Sequence, residues 1–225
     1  MKFILDTANL EDIKKGFDLF PVEGVTTNPT IISKENRNFF SILEEIRQII
    51  GEETELHVQL LGDTAEKMLE EAKVVKERIG GNLYMKVPVS QQGIKAMKLL
   101  KKEGYKITAT AVITPNQALI AAKAGADYVA PYVNRIDNLA SNGTQVVADI
   151  VEIFEKNSIN TNVLAASFKN AQQFYEVAKA GCPAVTVPFE ILQTALSHPL
   201  TDASLDQFIR DWDGVYGEGK TILDL

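Results

Sequence analysis

The chain has a single cysteine, Cys182, among its 225 residues, so no internal disulfide can staple the fold. With His57 and His198 as the only histidines, Cys182 reads as a small residue packed near Pro183 rather than as a nucleophile. The two histidines are not in ligand spacing and belong to no Cys/His cluster, so neither a metal nor another cofactor is expected. Excess positive charge is also missing. The 23 Lys and Arg face 30 Asp and Glu, giving a net charge of -7 and a pI near 5.0. That balance argues against nucleic acid as the main partner, although an acidic shell can still hold a local basic pocket. No apolar run approaches a membrane span or a secretory signal, and Phe3-Ile4-Leu5 is cut short by Asp6. The expectation is a cytoplasmic protein with no membrane partner. No strand-like run leads into G-x-G-x-x-G, which removes the main signal of a dinucleotide fold.

What is present is a rhythm. Hydrophobic residues make up 45% of the chain, enough for one large core, and apolar β-rich runs alternate with helical patterns throughout. Eight strands are predicted, at Phe3–Asp6, Gly24–Thr27, Glu55–Leu60, Leu83–Val87, Lys106–Val112, Tyr128–Pro131, Asn162–Ala166 and Ala184–Val187. Between them lie amphipathic stretches such as Thr64–Ile79, Gly93–Lys102, Pro115–Ala124, Val146–Lys156 and Ala171–Ala180, with Asp63 or Thr64 available as a cap. Eight βα units in this length predict a (β/α)₈ TIM barrel, with a doubly wound sheet as the competitor. No linker divides the chain, so residues 1–225 are expected to form one barrel domain, with residues 203–225 as a helical extension. Within the extension Leu205, Phe208, Ile209 and Trp212 recur at helical spacing, a stripe for either a neighbouring subunit or the chain's own barrel.

Lys86 stands in the apolar run Leu83-Tyr84-Met85-Lys86-Val87-Pro88. Alternation puts Tyr84 and Lys86 on one strand face and Leu83, Met85 and Val87 on the other. Burial disfavours an ammonium, lowers the lysine pKa and leaves neutral amine that can attack a carbonyl. The alternative is a buried lysine paired with a carboxylate.

Neighbouring strand ends favour chemistry, because in barrel enzymes those ends converge on one mouth. They carry Asp6, Thr26-Thr27-Asn28, Gln59, Lys86, Thr110, Tyr132 with Arg135, and Ser167 with Lys169. Parity turns Ile4 and Asp6, His57 and Gln59, Tyr84 and Lys86, and Thr108 and Thr110 inward together. Asp6 could stabilise an iminium or move a proton, or simply pair with Lys86. Gln59, Thr110 and Tyr132 could hold the water that forms and hydrolyses an imine, or be a satisfied internal network. Arg135, Ser167 and Lys169 suit a phosphate group, unless Arg135 pairs with Asp137 and Lys169 faces solvent.

These residues resemble a known family. Leu5-Asp6-Thr7-Ala8, Gly24-Val25-Thr26-Thr27-Asn28-Pro29-Thr30, Lys86-Val87-Pro88, Ala130-Pro131-Tyr132-Val133-Asn134-Arg135-Ile136-Asp137 and Leu164-Ala165-Ala166-Ser167-Phe168-Lys169 are similar to motifs of the transaldolases. The resemblance runs nearly the whole chain and is specific to the small subfamily that includes fructose-6-phosphate aldolase. It implies a (β/α)₈ barrel with Lys86 as the Schiff-base lysine and Asp6 as its acid/base or electrostatic partner. By the same resemblance Thr26 and Asn28 bind substrate, Gln59, Thr110 and Tyr132 position a catalytic water, and Arg135 with Ser167 binds phosphate. It also implies homo-oligomers, rings of five that pair into decamers, with the C-terminal helix reaching a neighbour. Transaldolases proper generally carry glutamate at the position of Gln59 and phenylalanine at that of Tyr132, so both residues look like the aldolase branch.

Three functions therefore compete. The first is a cofactor-free class I aldolase that cleaves fructose 6-phosphate to dihydroxyacetone and glyceraldehyde 3-phosphate. The second is a transaldolase of the pentose phosphate pathway, moving a dihydroxyacetone unit from sedoheptulose 7-phosphate. The third is a sugar-phosphate-binding barrel without turnover, in which Lys86 only pairs with Asp6.

Overall fold

The computed structural model describes residues 1–225, which divide into two compact units, Met1–Leu192 and Gln193–Leu225. The first unit carries eight strands: β1 (Lys2–Asp6), β2 (Val22–Thr26), β3 (Glu55–Gln59), β4 (Leu83–Pro88), β5 (Lys106–Val112), β6 (Tyr128–Pro131), β7 (Asn162–Ala165) and β8 (Ala184–Val187). Each runs parallel to its neighbours, and β8 pairs back onto β1, closing a (β/α)₈ TIM barrel. The eight predicted strands are all present, with ends shifted by no more than two residues. One shift has a clear cause. Asn28 accepts the Ile31 N–H at 3.0 Å and caps the helix Pro29–Lys34, so the chain leaves β2 at once.

Short polar turns of this kind hold the strand ends in place. Ser90 caps the helix Gln91–Lys102 through the Gly93 N–H, and Asn170 caps Ala171–Lys179 through that of Gln173. Gly93 is required by close approach, since a Cβ there would lie 1.8 Å from the Pro88 carbonyl oxygen. The next helix can thus start directly against the end of β4, two residues beyond Lys86. Thr64 caps Ala65–Ile79, as one of the two candidates predicted.

Strand parity divides the core. Leu83, Met85 and Val87 pack outward with the helices, whereas Tyr84 joins Ile4, Tyr128, Leu164 and Ala184 inside the barrel. Beneath the level of Lys86 this interior is partly polar. The His57 ring stacks on Tyr84 with centroids 4.5 Å apart and an 8° tilt, and its Nδ1 lies 2.8 Å from the Thr108 hydroxyl. Lys2 bonds Glu55 at 2.5 Å, and the Tyr128 hydroxyl donates to the same carboxylate at 3.2 Å. Burial keeps His57 below the ordinary histidine value, against the pull of Glu55. Burial alone would raise the Glu55 carboxyl, but the contacts with His57 and Lys2 outweigh it and hold the group down to about 2. The layer under Lys86 is therefore a buried aromatic ring above a compensated ion pair.

Cys182 is buried, with its thiol 3.2 Å from the Ala184 carbonyl oxygen and pushed up to about 11 by burial. It is a packing residue, as its surroundings in the sequence predicted.

In the second unit a helix spans Pro199–Tyr216, outrunning at both ends the apolar stripe from Leu205 to Trp212. The extra turns have ordinary signals: His198 caps the start, Pro199 occupies the first position, and Gly217 ends it with φ +104°. No residue of this helix is buried, and Phe208 is 66% exposed. Phe208, Ile209, Trp212, Ile222 and Leu223 line an apolar groove of about 650 Å³ within this unit. No helix of the chain is long and apolar enough to cross a membrane.

Candidate active site

A cavity of about 860 Å³ opens where the strands end. Of the residues singled out from the sequence, Asp6, Asn28, Gln59, Lys86, Tyr132, Arg135, Ser167 and Lys169 line it together. Thr26 and Thr110 stand one step behind the wall, fully buried, each bonded to a residue that faces the cavity.

Lys86 is 4% exposed and rises from β4 between Gln59 on β3 and Thr108 on β5, its register partners. Its ammonium nitrogen donates to the backbone carbonyl of Thr27 at 2.9 Å and forms no ion pair with Asp6. The expected alternative, a lysine neutralised by direct contact with a carboxylate, is not what forms. Burial pushes the amine below its ordinary 10.5, with the Asp6 charge opposing the shift from a distance. The carbonyl holds the nitrogen in place without supplying a counter-charge.

Asp6 closes β1 and accepts the Thr26 hydroxyl at 2.7 Å, and Thr26 in turn lies 2.6 Å from the Thr186 hydroxyl of β8. Burial raises the Asp6 carboxyl above its usual range, while the charge of Lys86 and the Thr26 hydrogen bond pull it back. Lowered lysine and raised carboxyl point the same way: each group spends more time neutral than it would in water, which suits both to exchange protons.

On the opposite wall the hydroxyls of Thr110 and Tyr132 are 2.9 Å apart. Gln59, at the end of β3, adds an amide to the same cavity. The Arg135 guanidinium lies over the Tyr132 ring, 4.8 Å from its centroid, instead of pairing with Asp137. Asp137 is occupied elsewhere: it accepts the Gly143 N–H and the Gln173 side-chain amide, each at 2.7 Å. That lock ties the short helix Val133–Asp137 to the helix Ala171–Lys179, and Gln173 also accepts the Lys169 N–H at 2.8 Å. One buried glutamine thus holds the segments bearing Arg135 and Lys169. Lys169 is exposed, as its alternative reading had it, yet it still borders the cavity.

Sequence reasoning missed three features. The partner of Lys86 is a backbone carbonyl, which leaves no mark in the residue types. Thr186 was legible, since it shares the inward face of β8. Ala111, on the cavity wall, could not be found by alternation because a bulge interrupts β5.

A polar, partly basic mouth around a buried amine of lowered proton affinity is able to form an imine with a phosphorylated carbonyl compound. Comparison with known proteins identifies the family. The family model described as Transaldolase/Fructose-6-phosphate aldolase matches residues 3–218. A probable transaldolase of Moorella thermoacetica is 42% identical over 96% of this chain and 99% of its own length. A probable transaldolase of Thermoanaerobacter sp. (strain X514) is 41% identical over 94% and 97%. A probable fructose-6-phosphate aldolase of Streptococcus pneumoniae (strain ATCC 700669 / Spain 23F-1) is 40% identical over 94% and 96%. With near-complete coverage in both directions, the chain belongs to the transaldolase/fructose-6-phosphate aldolase family of enzymes.

Proposed function

We propose that Lys86 forms a Schiff base with a ketose phosphate and that the main reaction is reversible cleavage of fructose 6-phosphate to dihydroxyacetone and glyceraldehyde 3-phosphate. The observation that carries this reading is the buried amine held by a carbonyl, facing the same cavity as Asp6, Gln59 and Tyr132. The neutral amine adds to the substrate ketone, a proton from the Asp6 carboxyl lets the former carbonyl oxygen leave as water, and an iminium and an Asp6 carboxylate remain. The C4 hydroxyl then loses its proton to Asp6, the C3–C4 bond breaks, and its electron pair moves into the iminium to form an enamine. Glyceraldehyde 3-phosphate departs, with its phosphate held by Arg135 and Ser167 and with Lys169 nearby. Protonation of the enamine carbon and addition of water release dihydroxyacetone and restore the amine.

Tyr132 separates this reading from its rival. Its hydroxyl, bonded to Thr110 at the cavity that Lys86 and Gln59 also line, would deliver the proton that frees the donor, in concert with a water held by Gln59. The second reading is transaldolase, in which the enamine waits for an aldose-phosphate acceptor, and the names of the Moorella and Thermoanaerobacter relatives favour it. Assay without an acceptor tests the choice. Free dihydroxyacetone from fructose 6-phosphate is expected, and Tyr132→Phe should shift the ratio of release to transfer toward transfer by about tenfold, the worth of one hydrogen bond to a developing charge. Strict dependence on an acceptor in the unmodified protein would make it a transaldolase.

The exposed apolar face of Pro199–Tyr216 supports a homo-oligomer in which this helix covers a neighbouring copy. Removing residues from Ala203 onward should reduce the assembly seen by light scattering; an unchanged mass would refute the contact. A cytoplasmic location accords with sugar-phosphate substrates.

A further inference from the structure

Five residues other than glycine have positive φ, and three of them, Asn36, Ala140 and Ser158, lie in turns that follow helices. The other two are at the barrel mouth: Ala111 within β5, at φ +59°, and Ser167 just beyond β7, at φ +64°. Left-handed backbone is unfavourable for any residue with a Cβ, and inside a strand it needs a reason.

The register supplies the reason for Ala111. Ala109 pairs with Val129 and Val112 with Pro131, so Thr110 and Ala111 together face the single residue Ala130. This is a one-residue bulge, a device that bends a strand and re-aims its side chains. Regular alternation after the inward-facing Thr110 would turn Ala111 toward the helices and Val112 into the barrel. The insertion reverses both: Ala111 lines the cavity and Val112 joins the outer core. It also sets the far end of β6. The Tyr132 N–H reaches the Val112 carbonyl at 3.0 Å, and the Thr110 hydroxyl comes to 2.9 Å from the Tyr132 hydroxyl. On its other side Tyr132 bridges to Ala166, where the Val133 N–H bonds the Ala166 carbonyl and the Asn134 N–H that of Ser167, each at 2.9 Å. Tyr132 is thus gripped between two strand ends, each carrying a left-handed residue.

We propose that Ala111 is a positioning residue for Tyr132, its left-handed bulge setting the β5–β6 offset that brings the Thr110 and Tyr132 hydroxyls together at the cavity wall. Its small side chain fits this place, since Ala111 borders the space the substrate would fill. The inference rests on the proposed role of Tyr132 in releasing the donor. It adds that the role depends on a backbone feature two strand ends wide.

The test is a kinetic cycle with fructose 6-phosphate, combining Ala111→Gly with Tyr132→Phe in the full-length protein. Glycine reaches the left-handed region without strain but many other conformations too, so the bulge loosens while the fold is kept. In the otherwise unmodified protein Ala111→Gly should lower kcat about tenfold with little change in KM, because it disturbs a position rather than binding. In the Tyr132→Phe background the same substitution should cost less than about twofold, since the hydroxyl it positions is gone. An equal loss in both backgrounds, or no loss in either, overturns the inference while Tyr132 keeps its place in the reaction. A Tyr132→Phe protein with unaltered kcat and unaltered product ratio would instead remove Tyr132 from the proposed chemistry, and the inference with it.

Discussion

Replacing Lys86 with methionine is expected to lower turnover by at least about 10⁴-fold, the scale at which a covalent nucleophile is lost, and at the same time to raise the melting temperature. The two effects share one cause. The folded state keeps the amine at 4% exposure with a single carbonyl partner, which lowers its proton affinity, whereas the unfolded chain restores the ordinary value of 10.5. Between the folded and unfolded pKa values the unfolded chain binds more protons, so stability rises with pH across that window. Near neutral pH Lys86 therefore works against folding. Methionine has similar length, needs no proton and fills the same space, and relief of this kind contributes about 0.5–2 kcal/mol. For a chain of this size each kcal/mol is about 2–4 °C. The gain should shrink as the pH is raised toward the unfolded value. A Lys86→Met protein that melts lower than the unmodified chain would show that the amine is favourably placed as a charge.

Arg135→Ala is expected to raise KM for fructose 6-phosphate by about 10- to 100-fold, corresponding to the loss of about 1.5–3 kcal/mol from hydrogen bonds to a charged group. Acceptors that lack the phosphate should be nearly unaffected. The guanidinium is free for this task because Asp137, its nearest candidate partner in sequence, is taken up by Gly143 and Gln173. Its position over the Tyr132 ring keeps it at the cavity. Steady-state assays with phosphorylated and unphosphorylated aldehydes check this directly. Equal losses for both would mean that Arg135 supports Tyr132 instead of binding phosphate.

Much of the site was legible because a parallel barrel converts sequence order into position. A polar residue closing an apolar strand must lie at the mouth, and the alternation of Tyr84 with Lys86 fixes which side of the sheet the amine occupies. Asp6, Gln59 and Lys86 emerge in this way and line one cavity. The same logic fails where the backbone departs from regular geometry. Ala111 carries no mark of a bulge, and its left-handed φ is visible only in three dimensions. The Thr27 carbonyl that holds Lys86 is equally hidden, since every residue offers a carbonyl and only the fold decides which one arrives. The contacts of Asp137 escape prediction for a different reason: proximity in sequence suggests Arg135, but the chain turns at Tyr132 and brings Gln173 from another helix instead. The helix Pro199–Tyr216 outruns its apolar stripe because the His198-Pro199 start, not the stripe, sets where it begins.

That one enclosed amine is the nucleophile is tested most directly by reductive trapping. The full-length protein, incubated with fructose 6-phosphate or dihydroxyacetone and treated with borohydride, should carry a single donor-sized adduct, mapped by peptide mass spectrometry to Lys86. Trapping should persist at pH values well below the ordinary lysine value. An adduct on any other lysine, or tight sugar-phosphate binding with no reducible adduct, would contradict the claim and return the chain to a binding role.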